Sequence, residues 1–278
     1  MAPDYLLIGH VVQDITPSGL VLGGTATYSA ITAQRLGWRV GVVTRTGPDL
    51  NVAAHLPGIA VHAVPGSSTT TYENVYQGMA RSQWIRAVGD PLSLEDVPAE
   101  WREARIVHLA PLAQEFEPAL AAAFSHTFVG ATPQGWLRQW DEGGRVRYKP
   151  MAQPDLLLRD VRALIFSPED VANDRTAMME LVQAVPLAVV TRADEGAVVY
   201  TAEGTYSTPA RPSRVVDPTG AGDVFAAAFF IRLAETGDPL EAAAFANVVA
   251  SFSIEGQGAT AIPAREQVEA WRRSHREV

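Results

Sequence analysis

The chain has 278 residues, 47% hydrophobic and 19% charged, enough apolar material for one large α/β domain and unlike a disordered or fibrous composition. Its formal net charge of −9, from 22 basic and 31 acidic residues, argues against a broad nucleic-acid or anionic-membrane surface. There is no cysteine, so disulfides, thiolate zinc sites and cysteine nucleophiles are excluded.

The N-terminus, Met1-Ala-Pro-Asp-Tyr-Leu-Leu-Ile8, has no basic region and too short an apolar run for a secretion signal. No apolar run reaches the ~18 residues of a membrane span, so a cytoplasmic protein is expected. Tyr5 to Gly9 predicts a buried first strand closed by glycine. His10-Val-Val-Gln-Asp14, a turn around Thr16 to Gly19, and Leu20-Val-Leu-Gly-Gly24 follow. Thr25 to Leu36 has the length and alanine content of a helix ended by Gly37, and Arg39 to Thr44 predicts the next strand. Strand, helix and strand at this spacing form a βαβ unit and imply a parallel sheet. Gly23-Gly24 is not G-x-G-x-x-G, so a dinucleotide fingerprint is absent. Asp14, on these residues alone, is equally a turn residue.

Residues 59 to 88 differ in character. Ile59 to Val64, Thr69 to Tyr76 and Ala80 to Arg86 alternate or carry β-branched and aromatic residues, with Gly66-Ser-Ser68 and Gln77-Gly78 between them. This predicts antiparallel β structure inserted into an α/β chain; a plain surface meander is the alternative. From Trp101 strand and helix alternate again. Lys149, the only lysine, stands in Arg147-Tyr-Lys-Pro150, so a P-loop, which needs G-x-x-x-x-G-K-[ST], is ruled out. The six histidines show no H-x-x-x-H pairing that would hold a metal. Ala163 to Phe166, Leu187 to Arg192 and Ala197 to Tyr200 predict further strands, and two helices are expected at about 221–236 and 240–253. Ala264 to Arg276 reads as an amphipathic cover helix.

The stretch Val215-Val-Asp-Pro-Thr-Gly-Ala-Gly-Asp-Val-Phe225 predicts a strand end, a small-residue loop and a helix start. Amides at a helix N-terminus are unpaired and carry partial positive charge, and small residues let an anion approach them closely. A carboxylate beside such a site is unfavourable unless it handles a proton or a metal, so Asp223 suggests a base working next to a phosphate. An ordinary glycine-rich turn with Asp217 or Asp223 as a helix cap explains the same residues more blandly.

The string D-P-T-G-A-G-D-x-F resembles the C-terminal signature of the ribokinase/PfkB-type carbohydrate kinase family, usually D-T-x-G-A-G-D, with Pro218 where that family has Thr. The resemblance implies a ribokinase-like three-layer α/β/α core with a mainly parallel sheet and a small inserted β lid. The core would comprise 1–10, 24–58 and 89–278, and the lid 11–23 and 59–88. It implies that Asp14, Gly23 and Gly24 bind acceptor hydroxyls, with Asn74, Arg81 and Gln83 on the lid. The family commonly has Asn four residues after the glycine pair; here Tyr28 stands there and would be a substrate contact. Ala131 to Arg138 resembles D-x-Q-G-x-x-R with Thr132 replacing Asp, and Arg138 would reach a phosphate or cap a helix. Ser167-Pro-Glu-Asp170 stands where the family has N-x-x-E, so Asp170 and Glu169 would hold Mg²⁺ through water; an ordinary helix start fits equally. Thr191, Gly196, Thr219, Gly220, Gly222, Asn247 and Gly258 would contact the nucleotide.

What the resemblance implies chemically is an ATP-dependent kinase for a small polyol. Asp223 would be the general base, and the amides of Gly220, Ala221 and Gly222 the anion hole. ATP and Mg²⁺ are the expected cofactors, with a monovalent cation such as K⁺ bound by backbone oxygens around 217–219 and 253–258. The acceptor leans toward a sugar or a cyclitol such as myo-inositol. A nucleoside kinase, a non-catalytic ligand sensor on the same fold and a nucleotide-dependent oxidoreductase are the alternatives. No nucleic-acid or membrane partner is expected, and a homodimer through the β lid would be the partner.

Overall fold

The computed structural model describes residues 2–77 and 80–275, with side chains left undescribed at 76, 77, 80 and 81. The Arg81 side chain and Arg276 therefore lie outside the described residues. In chain order the first half contains β1 (Tyr5–Ile8), β2 (Val12–Thr16), β3 (Gly19–Gly23), α1 (Thr25–Arg35), β4 (Val40–Thr46), α2 (Val52–His55), β5 (Ala60–Pro65), β6 (Thr71–Gln77), β7 (Ala80–Ala87), β8 (Ile106–Leu109) and β9 (Phe128–Ala131). The second half contains β10 (Arg138–Trp140), β11 (Val146–Tyr148), α3 (Pro154–Leu157), β12 (Ala163–Phe166), α4 (Arg175–Gln183), β13 (Leu187–Thr191), β14 (Ala197–Thr201), β15 (Gly204–Thr208), α5 (Ala221–Thr236), α6 (Pro239–Ser253) and α7 (Arg265–Ser274).

The large sheet runs β15-β14-β13-β12-β9-β8-β1-β4-β5. It is parallel from β5 to β13; β14 and β15 pair antiparallel at the other edge. β1 lies inside it and is wholly buried, as its unbroken apolar sequence requires of a parallel strand covered on both faces. Strand alternation splits its residues: Tyr5 and Leu7 join the cluster built by α1, α5 and α6, and Leu6 and Ile8 join the cluster built by α4 and the 3-10 turn Pro118–Phe124. These two cores on either side of one sheet make the three-layer α/β/α architecture. α5 is apolar all round from Val224 to Ile231 and buried there, which explains why it is sandwiched between the sheet, α1 and α6 rather than lying on the surface. It ends at Gly237, whose left-handed φ of 71° closes the last turn.

A second, four-stranded sheet, ordered β3-β2-β6-β7, stands beside the core. One expected boundary is corrected. Residues 60–65 do not belong to this sheet; β5 pairs in parallel with β4 and forms the edge of the large sheet. Alternation in Ile59 to Val64 marks a half-exposed edge strand as well as an inserted one, so periodicity could not separate the two. The inserted sheet comprises Val12 to Gly23 and Thr71 to Ala87. A second correction concerns Val215-Val216, which are exposed and form no strand; the Val216 and Asp217 amides both donate to the Ile254 carbonyl. The cover helix is α7, pinned by Arg265 to Glu235 and by Arg272 to Glu241.

Candidate active site

α1 starts where β3 ends, and the glycine pair exists for close approach. A Cβ on Gly23 would lie 1.9 Å from Asp14 Oδ2, so only glycine lets the Asp14 carboxylate turn in against the start of α1. Asp14 Oδ1 accepts from the Asn74 amide at 3.5 Å, and Asn74 Oδ1 accepts from the Gln83 amide at 3.0 Å. The small sheet thus presents Asp14, Asn74 and Gln83 as one polar row. Tyr72, in register with Asp14, is buried and donates to the Leu112 carbonyl at 2.6 Å. Burial pushes its phenol up to about 12, opposed by the Arg138 guanidinium 5.5 Å above its ring. Arg138 is therefore a neighbour of the polar row through Tyr72.

The other half of the site is the start of α5. Gly220 is its N-cap in the left-handed region at φ 78°, and a Cβ there would also lie 2.4 Å from the Tyr28 ring. The Ala221 amide donates to the Pro218 carbonyl at 3.2 Å and that of Val224 to Gly220 at 2.9 Å. Among the described residues the Gly220 and Gly222 amides have no backbone acceptor. Of the three amides expected at an anion hole, that of Ala221 closes the turn, and those of Gly220 and Gly222 are left open. A Cβ on Gly222 would meet nothing within 4 Å, and its backbone needs no left-handed φ. Neither packing nor strain explains that glycine; the space beside its amide is open.

Asp223 stands in the first turn of α5. Thr25, at the first turn of α1 and buried, donates from its hydroxyl to Asp223 Oδ1 at 2.7 Å, and Ser29 donates to the Asp223 carbonyl at 3.0 Å. Thr25 and Ser29 are one turn apart on α1, which packs directly on α5, so a single helix face positions the carboxylate. Sequence reasoning missed both; α1 also carries Thr27 and Thr32, so hydroxyls at 25 and 29 do not stand out in the sequence. Asp217 accepts from the Thr219 amide at 3.0 Å and the Gly258 amide at 2.9 Å. Partial burial acts to raise its carboxyl, but the Thr219 side chain and the Gly258 and Thr219 amides outweigh it and hold the carboxyl below its ordinary value. Asp217 is thus the clasp that joins the 217–220 loop to the 254–258 loop.

The residues expected at the nucleotide differ in their surroundings. Thr191, at the end of β13, donates weakly to the Phe166 carbonyl at 3.4 Å, and Thr219 is exposed. Gly196 is buried, where a Cβ would lie 2.1 Å from the Thr208 carbonyl oxygen. Asn247 is also buried, and its amide donates to Thr208 and to the Pro209 carbonyl. Both residues are buried against Thr208 and the strand end that carries it. Asp170 closes a capping box: its Oδ2 accepts from the Ser167 amide and hydroxyl, and its Oδ1 accepts from Gln134 at 3.2 Å. Glu169 beside it is exposed. A further carboxylate that the sequence did not disclose, Glu115, is buried and accepts from the His10, Leu112 and Ala113 amides at 2.7–3.1 Å. It ties the end of β1 to the loop after β8, under the polar row.

Residues 158–266 match the model of the pfkB family carbohydrate kinases. The chain is 27% identical over 273 residues to a cytidine kinase of Thermococcus kodakarensis, covering 86% of this chain and 91% of that protein. It superposes with a TM-score of 0.80 and 22% identity on a pyrophosphate-dependent kinase in the ribokinase family complexed with a pyrophosphate analog and myo-inositol, covering 96% and 99% of the two chains. An Arabidopsis thaliana ribokinase complexed with ribose and ATP gives a TM-score of 0.74 at 20% identity, covering 97% and 98%. The fold is ribokinase-like, and the chain carries a PfkB carbohydrate kinase domain with ribokinase-family homologues. Family and relatives together indicate an ATP-dependent carbohydrate kinase. No helix among the described residues is long and apolar enough to cross a membrane.

Proposed function

We propose that this protein transfers the γ-phosphoryl group of ATP to a hydroxyl of a sugar or cyclitol. One observation carries the reading: a carboxylate, Asp223, stands in the same helix start as the two unpaired amides of Gly220 and Gly222. Phosphoryl transfer asks a protein for positioning and for stabilisation of charge, and little else. Asp223 accepts the proton of the acceptor hydroxyl as its oxygen attacks phosphorus, and Thr25 fixes the carboxylate's rotation. The Gly220 and Gly222 amides and the positive end of α5 take up charge on the transferred group. Asp14, Asn74 and Gln83, with the backbone at Gly23 and Gly24, hold the acceptor's other hydroxyls, and Arg138 adds positive charge nearby. The small sheet closes over the acceptor and excludes water. Thr191, Thr219 and Gly258 line the nucleotide side.

Mg²⁺ belongs to the proposal as an ion carried by phosphate oxygens and water. Among the described residues no cluster of three His, Asp or Glu forms a protein cage, and such an ion needs none. Asp170 and Glu169 would hold it through water, and it would neutralise nucleotide phosphate charge. K⁺ would be held by backbone oxygens around 217–219 and 253–258, and activity in K⁺ against Na⁺ tests it. A homodimer through the small sheet is favoured by Ile15 and Leu20, exposed and paired across β2 and β3.

A nucleoside acceptor is the second reading, favoured by the cytidine kinase relative that spans most of the chain. The test is product release with Mg²⁺ against ribose, fructose, ketodeoxygluconate, adenosine, cytidine and myo-inositol, with ATP and separately with pyrophosphate as donor. Turnover of ribose, fructose or myo-inositol with ATP supports the proposal. Preference for cytidine or adenosine moves it to the nucleoside reading, and turnover with pyrophosphate alone overturns ATP as donor. Tight polyol binding with no turnover identifies a ligand sensor.

A further inference from the structure

Tyr28 occupies an unusual place for a residue on the acceptor helix. Its side chain is 7% exposed, and its ring lies flat enough against Gly220 that a Cβ there would be 2.4 Å from Cγ and Cδ1. The hydroxyl end reaches toward Gly258, 4.0 Å from where its Cβ would stand, so the ring runs from α1 under the anion loop to the neighbouring loop clasped by Asp217. No described residue makes a hydrogen bond with Tyr28 Oη. Among the described residues the only fully enclosed side-chain nitrogen or oxygen without a partner is Arg45 Nε, so Tyr28 Oη is accessible to solvent. An accessible phenol with no protein partner is free to bond water or a ligand.

Three carboxylates act electrostatically on this phenol. Burial first, then Asp217, Asp14 and Asp223, hold its proton well above the ordinary tyrosine range, so it is a donor at every working pH. A neutral donor suits this place, because it can bond an anionic oxygen without pairing permanently with one of the carboxylates, as an arginine would. Two observations bear on this site: the open Gly220 and Gly222 amides, and a phenol whose ring packs on Gly220 and whose hydroxyl has no partner among the described residues.

We infer that Tyr28 is a third donor of the anion site, its hydroxyl hydrogen-bonding an oxygen of the phosphoryl group in transfer while its ring supports Gly220 from below. The inference rests on the kinase reading above. It assigns to the phosphoryl group a residue whose position on α1 suggested an acceptor contact.

The test compares Tyr28→Phe, which keeps the ring, with Tyr28→Asn, which removes it, using the acceptor that wild-type protein turns over best. Tyr28→Phe is expected to lower kcat about ten- to hundred-fold, as loss of one anion-hole donor does, with acceptor KM within about two-fold and Tm unchanged. Tyr28→Asn is expected to lose the same rate and also to lower Tm, because the support under Gly220 is gone. An unchanged kcat in Tyr28→Phe, or an acceptor KM that rises while kcat stays, overturns the inference. Absence of kinase turnover in the wild type would instead overturn the functional reading. Sulfate binding, followed calorimetrically, gives a readout independent of turnover: weaker binding by Tyr28→Phe supports the inference, and equal binding counts against it.

Discussion

Replacing Asp223 by asparagine separates the proposed base from the scaffold that holds it. Asparagine has nearly the same shape, and its carbonyl oxygen can still accept the Thr25 hydroxyl now bonded to Oδ1 at 2.7 Å. That bond changes from one with a charged partner, worth about 1.5–3 kcal/mol, to a neutral one of about 0.5–1.5. The carboxylate's favourable interaction with the α5 N-terminus, about 0.3–1 kcal/mol, is also lost. The stability cost is therefore about 1–2 kcal/mol, a fall of roughly 2–8 °C in Tm for a chain of this size. Loss of a general base costs about 10²–10⁴ in rate, or about 3–5 kcal/mol of barrier at 1.36 kcal/mol per tenfold. The two effects differ enough to be read apart in a coupled ADP-release assay run well below Tm, with thermal unfolding of the same preparation. A variant that keeps a tenth of the wild-type rate would refute the assignment of Asp223 as base, whatever its Tm.

Three further outcomes follow from the same geometry. Gly23→Ala places a methyl 1.9 Å from Asp14 Oδ2, so Asp14 must turn away; acceptor kcat/KM should fall about ten- to hundred-fold, mainly through KM, while ATP affinity measured by titration stays unchanged. Glu115→Ala strands the His10, Leu112 and Ala113 amides at about 1–3 kcal/mol each, less what entering water recovers, so urea unfolding should show a loss of about 3 kcal/mol or more and Glu115→Gln a smaller one. Burial holds His108 down to about 3 from its ordinary 6.5, so between those values the unfolded chain binds a proton that the folded one does not. Stability from this group is present above pH 6.5 and falls as pH drops toward 3, by up to about 1.4 kcal/mol per pH unit; His108→Gln should flatten that slope in chemical unfolding followed across pH.

Much of this protein was legible in the residues alone because the relevant information is local. Apolar runs such as Tyr5 to Ile8 specify buried strands, and the small-residue loop before Asp223 specifies an exposed helix start with open amides. Those are properties of a few consecutive residues and of backbone geometry. The edge position of β5 was not legible, because alternation measures one-sided burial and an edge strand shares it with a lid strand. The roles of Gly196 and Asn247 were also hidden: both answer to Thr208, on a strand and loop that only the fold brings against them.

The site divides along the same line. Composition and the 217–225 motif determined that the chain builds a parallel α/β core and a helix start with open amides beside a carboxylate, since those follow from side-chain size, charge and helix geometry at neighbouring positions. Only the tertiary structure decided what holds that carboxylate and what lies beneath the loop. Thr25 and Tyr28 reach Asp223 and Gly220 across nearly two hundred residues of chain. No spacing in a sequence encodes such a contact; it exists because α1 and α5 pack side by side on the same face of the sheet.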